Sequence, residues 1–391
     1  MNIVHVEICT NVFGENHAYQ SNLLPRYHAK LGHEVTIIAP PYCGYDNNGK
    51  IYKEKPGVKI MVDGVRLVRL KPALPLFINK HTHLFLNFYR AIEQYHPKLL
   101  FVHSLSSYNY LELKKYKKKH PDVVIVFDNH ADKVNSGHGG LFSKISQIVK
   151  MPIIGRAVKK VSNLFYGVTP ARCDYLKEMY RIPSEKVKLL PMGASDDDME
   201  WEHKEQLRQQ IRNDYNISDD DFLIVTGGKI DKKKNIHVLA QAVANLNNSK
   251  IKMLIFGTVI DELKPIIDNI VNINQNIHYI GWLDSSKVYR YFYAADLVMF
   301  PGLHSVLWEQ AVASHVPCAV SKMNGFEHVN VCDNCILMEG KDEFYYRDLL
   351  KKIFEDESLY LQLKNNSENA AVDIFRYSSI AKQVLLDTKL I

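Results

Sequence analysis

Short apolar runs recur along the chain, each too brief for a buried helix and most followed by a stretch with helical periodicity. In the first half they fall at 3–9, 35–39, 99–102 and 123–127, and in the second at 222–226, 253–256, 277–280, 297–300 and 318–320. Continuous apolar runs of this length fit strands buried on both faces, as in parallel sheets. The stretches 19–31, 110–120, 236–246, 261–270 and 285–293 predict helices between them; the first carries a Leu23, Leu24, Tyr27, Leu31 stripe. Strands alternating with helices predict an α/β fold with a doubly wound parallel sheet. The pattern is repeated, and 391 residues exceed what one core usually organises. Domains are therefore expected at 1–193 and 194–371, meeting in the polar stretch 193–201. Residues 42–56 are expected to form a loop, and 58–70 two short strands about the Asp63-Gly64 turn.

Ligands on such sheets sit beyond the carboxyl ends of the strands, so the residues there are the candidates for chemistry. After the 297–300 strand, Pro301-Gly302 breaks the run, and Leu303-His304-Ser305 forms a short loop. A helix is expected from Ser305, a good N-cap, with Leu307, Ala311 and Val312 on one face. Unpaired N–H groups at a helix start, aided by the dipole, attract anions. Glu309 would follow one turn later, placed to accept hydrogen bonds from the hydroxyls of whatever carries the anion. An ordinary crossover with a structural glutamate would give the same pattern. After the 222–226 strand comes Gly227-Gly228-Lys229 and, five residues beyond that lysine, Lys234. Glycines permit close backbone approach and lysines grip phosphates, although such a charge run is usually a solvated turn. The loop lacks the Gly-Lys-Ser/Thr of a P-loop. The first half has a single Gly14 in place of GxGxxG, which weakens the case for a dinucleotide dehydrogenase. His103 and Asn129-His130 stand at the carboxyl ends of first-half strands.

A formal net charge of +6 suits phosphate-bearing ligands or an anionic membrane surface, and no feature points to nucleic acid. No charged-then-apolar leader opens the sequence and no run reaches the roughly 18 apolar residues of a spanning helix, so a cytoplasmic location is expected. The basic amphipathic segment 142–165 would allow contact with the inner face of a membrane, or would pack on its own sheet. Six cysteines are scattered, and the Cys332/Cys335 pair has no neighbouring ligand pair to complete a zinc site. The acidic triplets 196–198 and 219–221 read as helix-start or linker caps. No metal is expected.

Taken together, these residues resemble retaining glycosyltransferases of family 4, over nearly the whole length and most closely from 222 to 320. The resemblance implies the GT-B fold, two Rossmann-like domains facing a central cleft, with the terminal helix 372–391 packing back on the first. Lys229 and Lys234 match the spacing of that family's diphosphate-binding Arg and Lys, with Lys in place of the Arg. Glu309 matches the second of its two glutamates, whose partner is the donor ribose, and Pro317 the proline after them. The first glutamate falls at Pro301 and is missing, so His304 and Ser305 are the nearest replacements to meet the transferred sugar. Val306 and Gly14 complete the implied donor contacts. His130 resembles the family's active-site histidine, with His103 as a second choice.

The implied activity is transfer of a hexose-type sugar from a nucleoside-diphosphate sugar to an acceptor hydroxyl, with retention, in glycan, polysaccharide or glycolipid biosynthesis. The acceptor would be a glycan, a lipid-linked molecule or a small molecule. Lys229, Lys234 and the helix start at Ser305 would stabilise the departing diphosphate, and His130 would hydrogen-bond the sugar. Neither metal nor cofactor is implied. A sugar-nucleotide epimerase shares the fold but would need acid/base carboxylates. A non-catalytic nucleotide-sugar-binding subunit would fit the missing glutamate and the reduced glycine loop.

Overall fold

The computed structural model describes residues 1–9, 12–15, 17–45, 50–133 and 151–391. It divides into two units, one of Met1–Pro191 with Ile380–Ile391 and the other of Met192–Ser379.

In the first unit the strands in chain order are β1 (Asn2–Val6), β2 (Glu34–Ala39), β3 (Tyr42–Tyr45), β4 (Ile51–Lys53), β5 (Gly57–Ile60), β6 (Arg66–Arg69), β7 (Leu99–His103), β8 (Val124–Asn129), β9 (Leu164–Gly167) and β10 (Val187–Leu189). Eight of them form one sheet in the order β10-β9-β8-β7-β1-β2-β6-β5. All its pairings are parallel except β5 with β6, which meet antiparallel about the Asp63-Gly64 turn. The strand order reverses between β1 and β7, which pair Ile3 with Leu99 and Val6 with Val102. Central strands are largely apolar because helices cover both faces. Leu100, Val102, Ile125 and Phe127 are fully buried in one core with Val4 and Val6.

Two stretches of this unit differ from expectation. Residues 42–56 are not simply a loop: β3 and β4 pair antiparallel, Tyr45 opposite Ile51, and Tyr42 and Cys43 are buried. Strands of three or four residues leave too little alternation to read. The expected 110–120 helix is a 3-10 turn, Tyr108–Glu112, followed by the helix Leu113–Lys119. Ser107 Oγ accepts from the Asn109 N–H at 3.1 Å and starts the turn early. Of the basic segment expected at 142–165, residues 142–150 lie outside the described residues, and Ile154, Val158 and Val161 of the remainder are buried in the core of this unit.

The second unit holds β11 (Phe222–Gly227), β12 (Ile251–Phe256), β13 (Ile277–Gly281), β14 (Leu297–Phe300), β15 (Cys318–Ser321) and β16 (Cys335–Met338). They form one parallel sheet in the order β13-β12-β11-β14-β15-β16. The order reverses between β11 and β14, the place where doubly wound sheets open a crevice at their carboxyl edge. Ile224, Ile255, Leu297, Met299 and Ala319 are fully buried; truncating one of the larger of them to Ala would cost about 2–5 kcal/mol.

The chain end returns to the second unit before leaving it. Ala194 N–H donates to Phe375 O at 2.7 Å, and Tyr377 N–H to Ala194 O at 3.0 Å. Asp196 accepts from the Ser378 hydroxyl at 2.6 Å. These bonds hold the chain through Ser379 to the second unit, so the segment grouped with the first begins at Ile380 rather than at 372. Among the described residues no helix is long and apolar enough to cross a membrane.

Candidate functional site

In the second unit the loops after β11 and β14 lie side by side at the point of strand reversal. Asp231 Oδ1 accepts from the Lys233 and Lys234 N–H groups at 2.9 and 3.1 Å, folding the first loop into a turn. Leu303 N–H donates to Lys233 O at 3.1 Å, joining the loops. A Cβ added at Gly302 would meet Lys233 O at 2.3 Å, so only glycine permits this approach. Tyr346, from the helix Glu343–Glu355, donates its hydroxyl to Pro301 O at 3.1 Å.

Lys234 turns its ammonium under the second loop and donates to the carbonyls of Leu303 at 2.5 Å and His304 at 3.1 Å. Burial pushes its pKa down to about 8, against the opposing pull of Asp231 and Glu309. Lys229 is exposed, and Gly228 beside it takes φ of 114°, a value natural to glycine.

The helix after β14 is Leu307–Ala313, and it starts later than expected. Val306 occupies the cap position with no side-chain cap bond. Ser305 lies in the preceding turn, its carbonyl accepting from Trp308 N–H at 3.0 Å. Ser305 is therefore not the N-cap. The helix is short and begins two residues beyond Ser305.

Glu309 points inward and is fully buried. Its Oε1 accepts from His304 Nε2 at 2.8 Å and from His328 Nε2 at 3.0 Å. Burial alone would raise the carboxyl; the two rings more than offset it and hold it down to about 2. The expected acceptor of hydroxyls is thus a buried carboxylate whose Oε1 is taken by two imidazoles. Its Oε2 has no hydrogen-bond partner, nor has His328 Nδ1, although both are buried. A buried polar atom without a partner costs about 1–3 kcal/mol. Such atoms are tolerated where a ligand completes them.

His304, Glu309 and His328 are the one group among the described residues whose ligand atoms could hold a metal, all lying within 4.8 Å of one another. Two imidazoles and a carboxylate suit zinc, but here both rings meet the carboxylate at hydrogen-bond distances. The expectation of no metal cluster missed this trio because His328 is distant in sequence. It sits on the 3-10 turn Glu327–Val329 beyond the carboxyl end of β15, and that position was the signal available.

The other metal candidates resolve into structural roles. Cys332 is exposed while Cys335 is buried and stands opposite Cys318 across β15 and β16. Asp196 caps Ser378, and Asp221 Oδ2 accepts from Ser218 N–H at 2.9 Å.

In the first unit the charged groups gather at the carboxyl ends of β7 and β8. Asp128 is fully buried. Its Oδ2 accepts from His103 Nδ1 at 2.7 Å, and its Oδ1 from Ser104 N–H at 2.8 Å. His130 Nε2 lies 3.4 Å from the same Oδ2, its side chain 37% exposed. Burial would raise the Asp128 carboxyl, but His103 and His130 hold it well below the usual carboxylate range. His103 is thus a buried partner of Asp128, whereas His130 reaches the surface. Gly14 is packed tightly: a Cβ there would meet the His17 ring at 2.7 Å, and its carbonyl accepts from Asn22 Nδ2 at 2.9 Å.

Residues 22–198 match the family model described as Glycosyltransferase Family 4, and residues 208–370 match that described as Glycosyl transferases group 1. The chain belongs to the family 4 type of glycosyltransferases. This family 4 chain is 20% identical over 218 residues to an uncharacterized glycosyltransferase of Methanocaldococcus jannaschii, covering 53% of the chain and 55% of that relative. The chain thus spans about half the length of that curated relative. Among solved structures it is similar to sucrose-phosphate synthase from Thermosynechococcus elongatus, with TM-score 0.67 and 16% identity over 100% of this chain and 98% of that one. It is equally similar, TM-score 0.67 at 12% identity over 100% of both chains, to the Anabaena protein HepE in complex with UDP and glucose. Those structures establish the shared GT-B fold.

Proposed function

We propose that this family 4 chain transfers a hexose-type sugar from a nucleoside-diphosphate sugar to an acceptor hydroxyl, with retention at the anomeric carbon. The observation that carries the reading is Glu309 Oε2, a buried carboxylate oxygen without a partner at the reversal point of the second sheet. A ribose hydroxyl of the donor would supply the missing hydrogen bond, and His328 Nδ1 would accept a second. Lys234, beside the same loop, and the exposed Lys229 supply positive charge for the diphosphate as it departs. Lysine replaces an arginine here, giving a point charge in place of a planar fork.

His304 takes the place of the absent glutamate. Glu309 holds its Nε2, so the ring is fixed in orientation without the entropic cost of a mobile side chain. Val306, Ser305 and Gly14 contribute main-chain contacts to the donor. His130 hydrogen-bonds the transferred sugar and forms no covalent bond with it. The leaving phosphate takes the acceptor proton. Resident metal and cofactor play no part, because the lysines already supply the charge that a divalent ion would bring. The acceptor belongs to glycan, polysaccharide or glycolipid biosynthesis.

A thermal-shift screen of nucleoside-diphosphate sugars tests the donor reading. A ligand that binds only the folded form raises Tm in proportion to RT ln(1 + [L]/Kd). At least one donor should stabilise the wild type, and less so Glu309→Gln. Absence of a shift with every uridine, guanosine and adenosine diphosphate sugar would contradict the proposal.

A further inference from the structure

Three histidines of the first unit form a continuous buried chain that the proposed chemistry does not use. His28 Nε2 bonds to Ala381 O at 3.2 Å, His28 Nδ1 meets His5 Nε2 at 3.0 Å, and His5 Nδ1 meets His103 Nε2 at 3.1 Å. His103 Nδ1 then reaches Asp128 at 2.7 Å. His5, His28 and Asp128 are 0% exposed and His103 is 1% exposed. Every ring nitrogen is committed to one bond in this chain.

The two ends fix the number of protons. Ala381 O can only accept, so His28 Nε2 carries hydrogen. Asp128 at the other end is a carboxylate, since Ser104 N–H already donates to its second oxygen and His130 Nε2 lies beside the first. It also only accepts, so His103 Nδ1 carries hydrogen. The four bonds need four protons, and three neutral imidazoles supply only three. One ring must be an imidazolium.

We propose that the His28–His5–His103 chain is a proton-ordered wire holding one extra proton as the His103 imidazolium, and that His103 is thereby a positioning residue keeping Asp128 ionised for His130. The charge sits at His103 because Asp128 is its direct neighbour and Glu7 adds to the attraction, whereas His5 has only rings on either side and His28 faces a carbonyl. Burial and the adjoining rings lower the affinity of His5 for a second proton, and burial holds His28 down to about 3, despite the Ala381 carbonyl, with His33 and His103 adding to the effect. Burial opposes the charge on His103 too, but Asp128 and Glu7 overcome it and raise it above the ordinary histidine value. Each remaining ring is then neutral with hydrogen on Nε2, and all bonds from His103 to Ala381 run in one direction. The wire ties the helix Tyr377–Asp387 to the carboxyl end of β7. Its proton count is independent of the transferase reading, while the consequence for His130 rests on that reading.

Nitrogen NMR of the full chain with 15N-labelled histidine tests the count without measuring activity. At pH 7 the signals removed by His103→Asn are expected to be those of an imidazolium, and the signals removed by His5→Gln and His28→Gln those of neutral rings protonated at Nε2. Asp128→Asn gives a sharper reading. Its amide can donate to His103 Nδ1, so the chain then needs no fourth proton and the imidazolium signal should vanish, with the His5 and His28 tautomers unchanged. Three neutral rings in the wild type at pH 7, a cation assigned to His5 or His28, or hydrogen on His28 Nδ1 would each overturn the proposal. Persistence of the His103 imidazolium in Asp128→Asn would also count against it.

Discussion

Gly302 lies against Lys234 so closely that a Cβ built on the glycine would stand 2.4 Å from the lysine Cα. The contact seats the β14 loop on the β11 loop and brings the Leu303 and His304 carbonyls onto the Lys234 ammonium. Gly302→Ala should force the loops apart, destabilising the second unit by about 1–3 kcal/mol as overpacking does. Donor affinity should fall with it. Calorimetry and donor titration check both, and an alanine variant with unchanged Tm and affinity would deny the contact its role.

Lys234 is held near pKa 8 by burial, against Asp231 and Glu309. If its charge grips the diphosphate, donor affinity should be level below pH 8 and decline above it. The limiting slope for one proton is tenfold per pH unit. Lys234→Met should lower affinity and abolish the decline. An affinity constant to pH 9.5 in the wild type would remove Lys234 from the donor.

The cluster of His304, Glu309 and His328 makes a paired prediction. Glu309→Gln replaces charge-assisted hydrogen bonds by neutral ones, which should weaken donor binding about tenfold to a hundredfold. Excess EDTA should leave turnover unchanged, because the rings bond the carboxylate directly. Loss of activity restored by Zn²⁺ would instead assign the trio to a metal.

Much of the fold was legible because its signal is local. Runs such as 222–226 and 297–300 are apolar on both faces, and that pattern survives without knowledge of partners. The β3–β4 hairpin was not, since its strands depend on pairing and on the burial of Tyr42 and Cys43. Loop position singled out Lys234, His304 and Glu309 as candidates but could not reveal that Glu309 faces inward. His328 bonds it there from the 3-10 turn after β15. Ser305 looked like a cap by composition, yet the backbone tightens into a turn first and the helix begins at Leu307. His5 and His28 gave no sequence signal at all, because packing of the helix Gln20–Lys30 against β1 brings them together.

The buried histidines also set the acid response. His5 and His28 bind a proton more weakly folded than unfolded, so the unfolded chain takes up more protons below the ordinary value of 6.5. Their contribution to stability is present above 6.5 and lost as pH falls toward the folded values. His103 has the opposite sign: its stabilisation is full below 6.5 and fades as pH rises through its raised folded value. Near pH 5 the two neutral rings should add about 2.7 kcal/mol per pH unit to the dependence of unfolding free energy, at 1.36 for each proton. His28→Gln should reduce that slope by about half of this amount. Parallel pH profiles for variant and wild type would show that His28 is not buried neutral.

The most direct test of the central claim is a turnover assay with a panel of nucleoside-diphosphate sugars and glycan or lipid-linked acceptors. Released nucleoside diphosphate and the anomeric configuration of the product would be followed together, with the intact protein mass recorded during turnover. The account predicts release coupled to a retained linkage, no mass increase on the protein, and a loss of about 10²-fold or more in Lys234→Ala, the scale of one electrostatic stabiliser. Donor binding without release or transfer, an inverted product, or undiminished turnover in Lys234→Ala would contradict it.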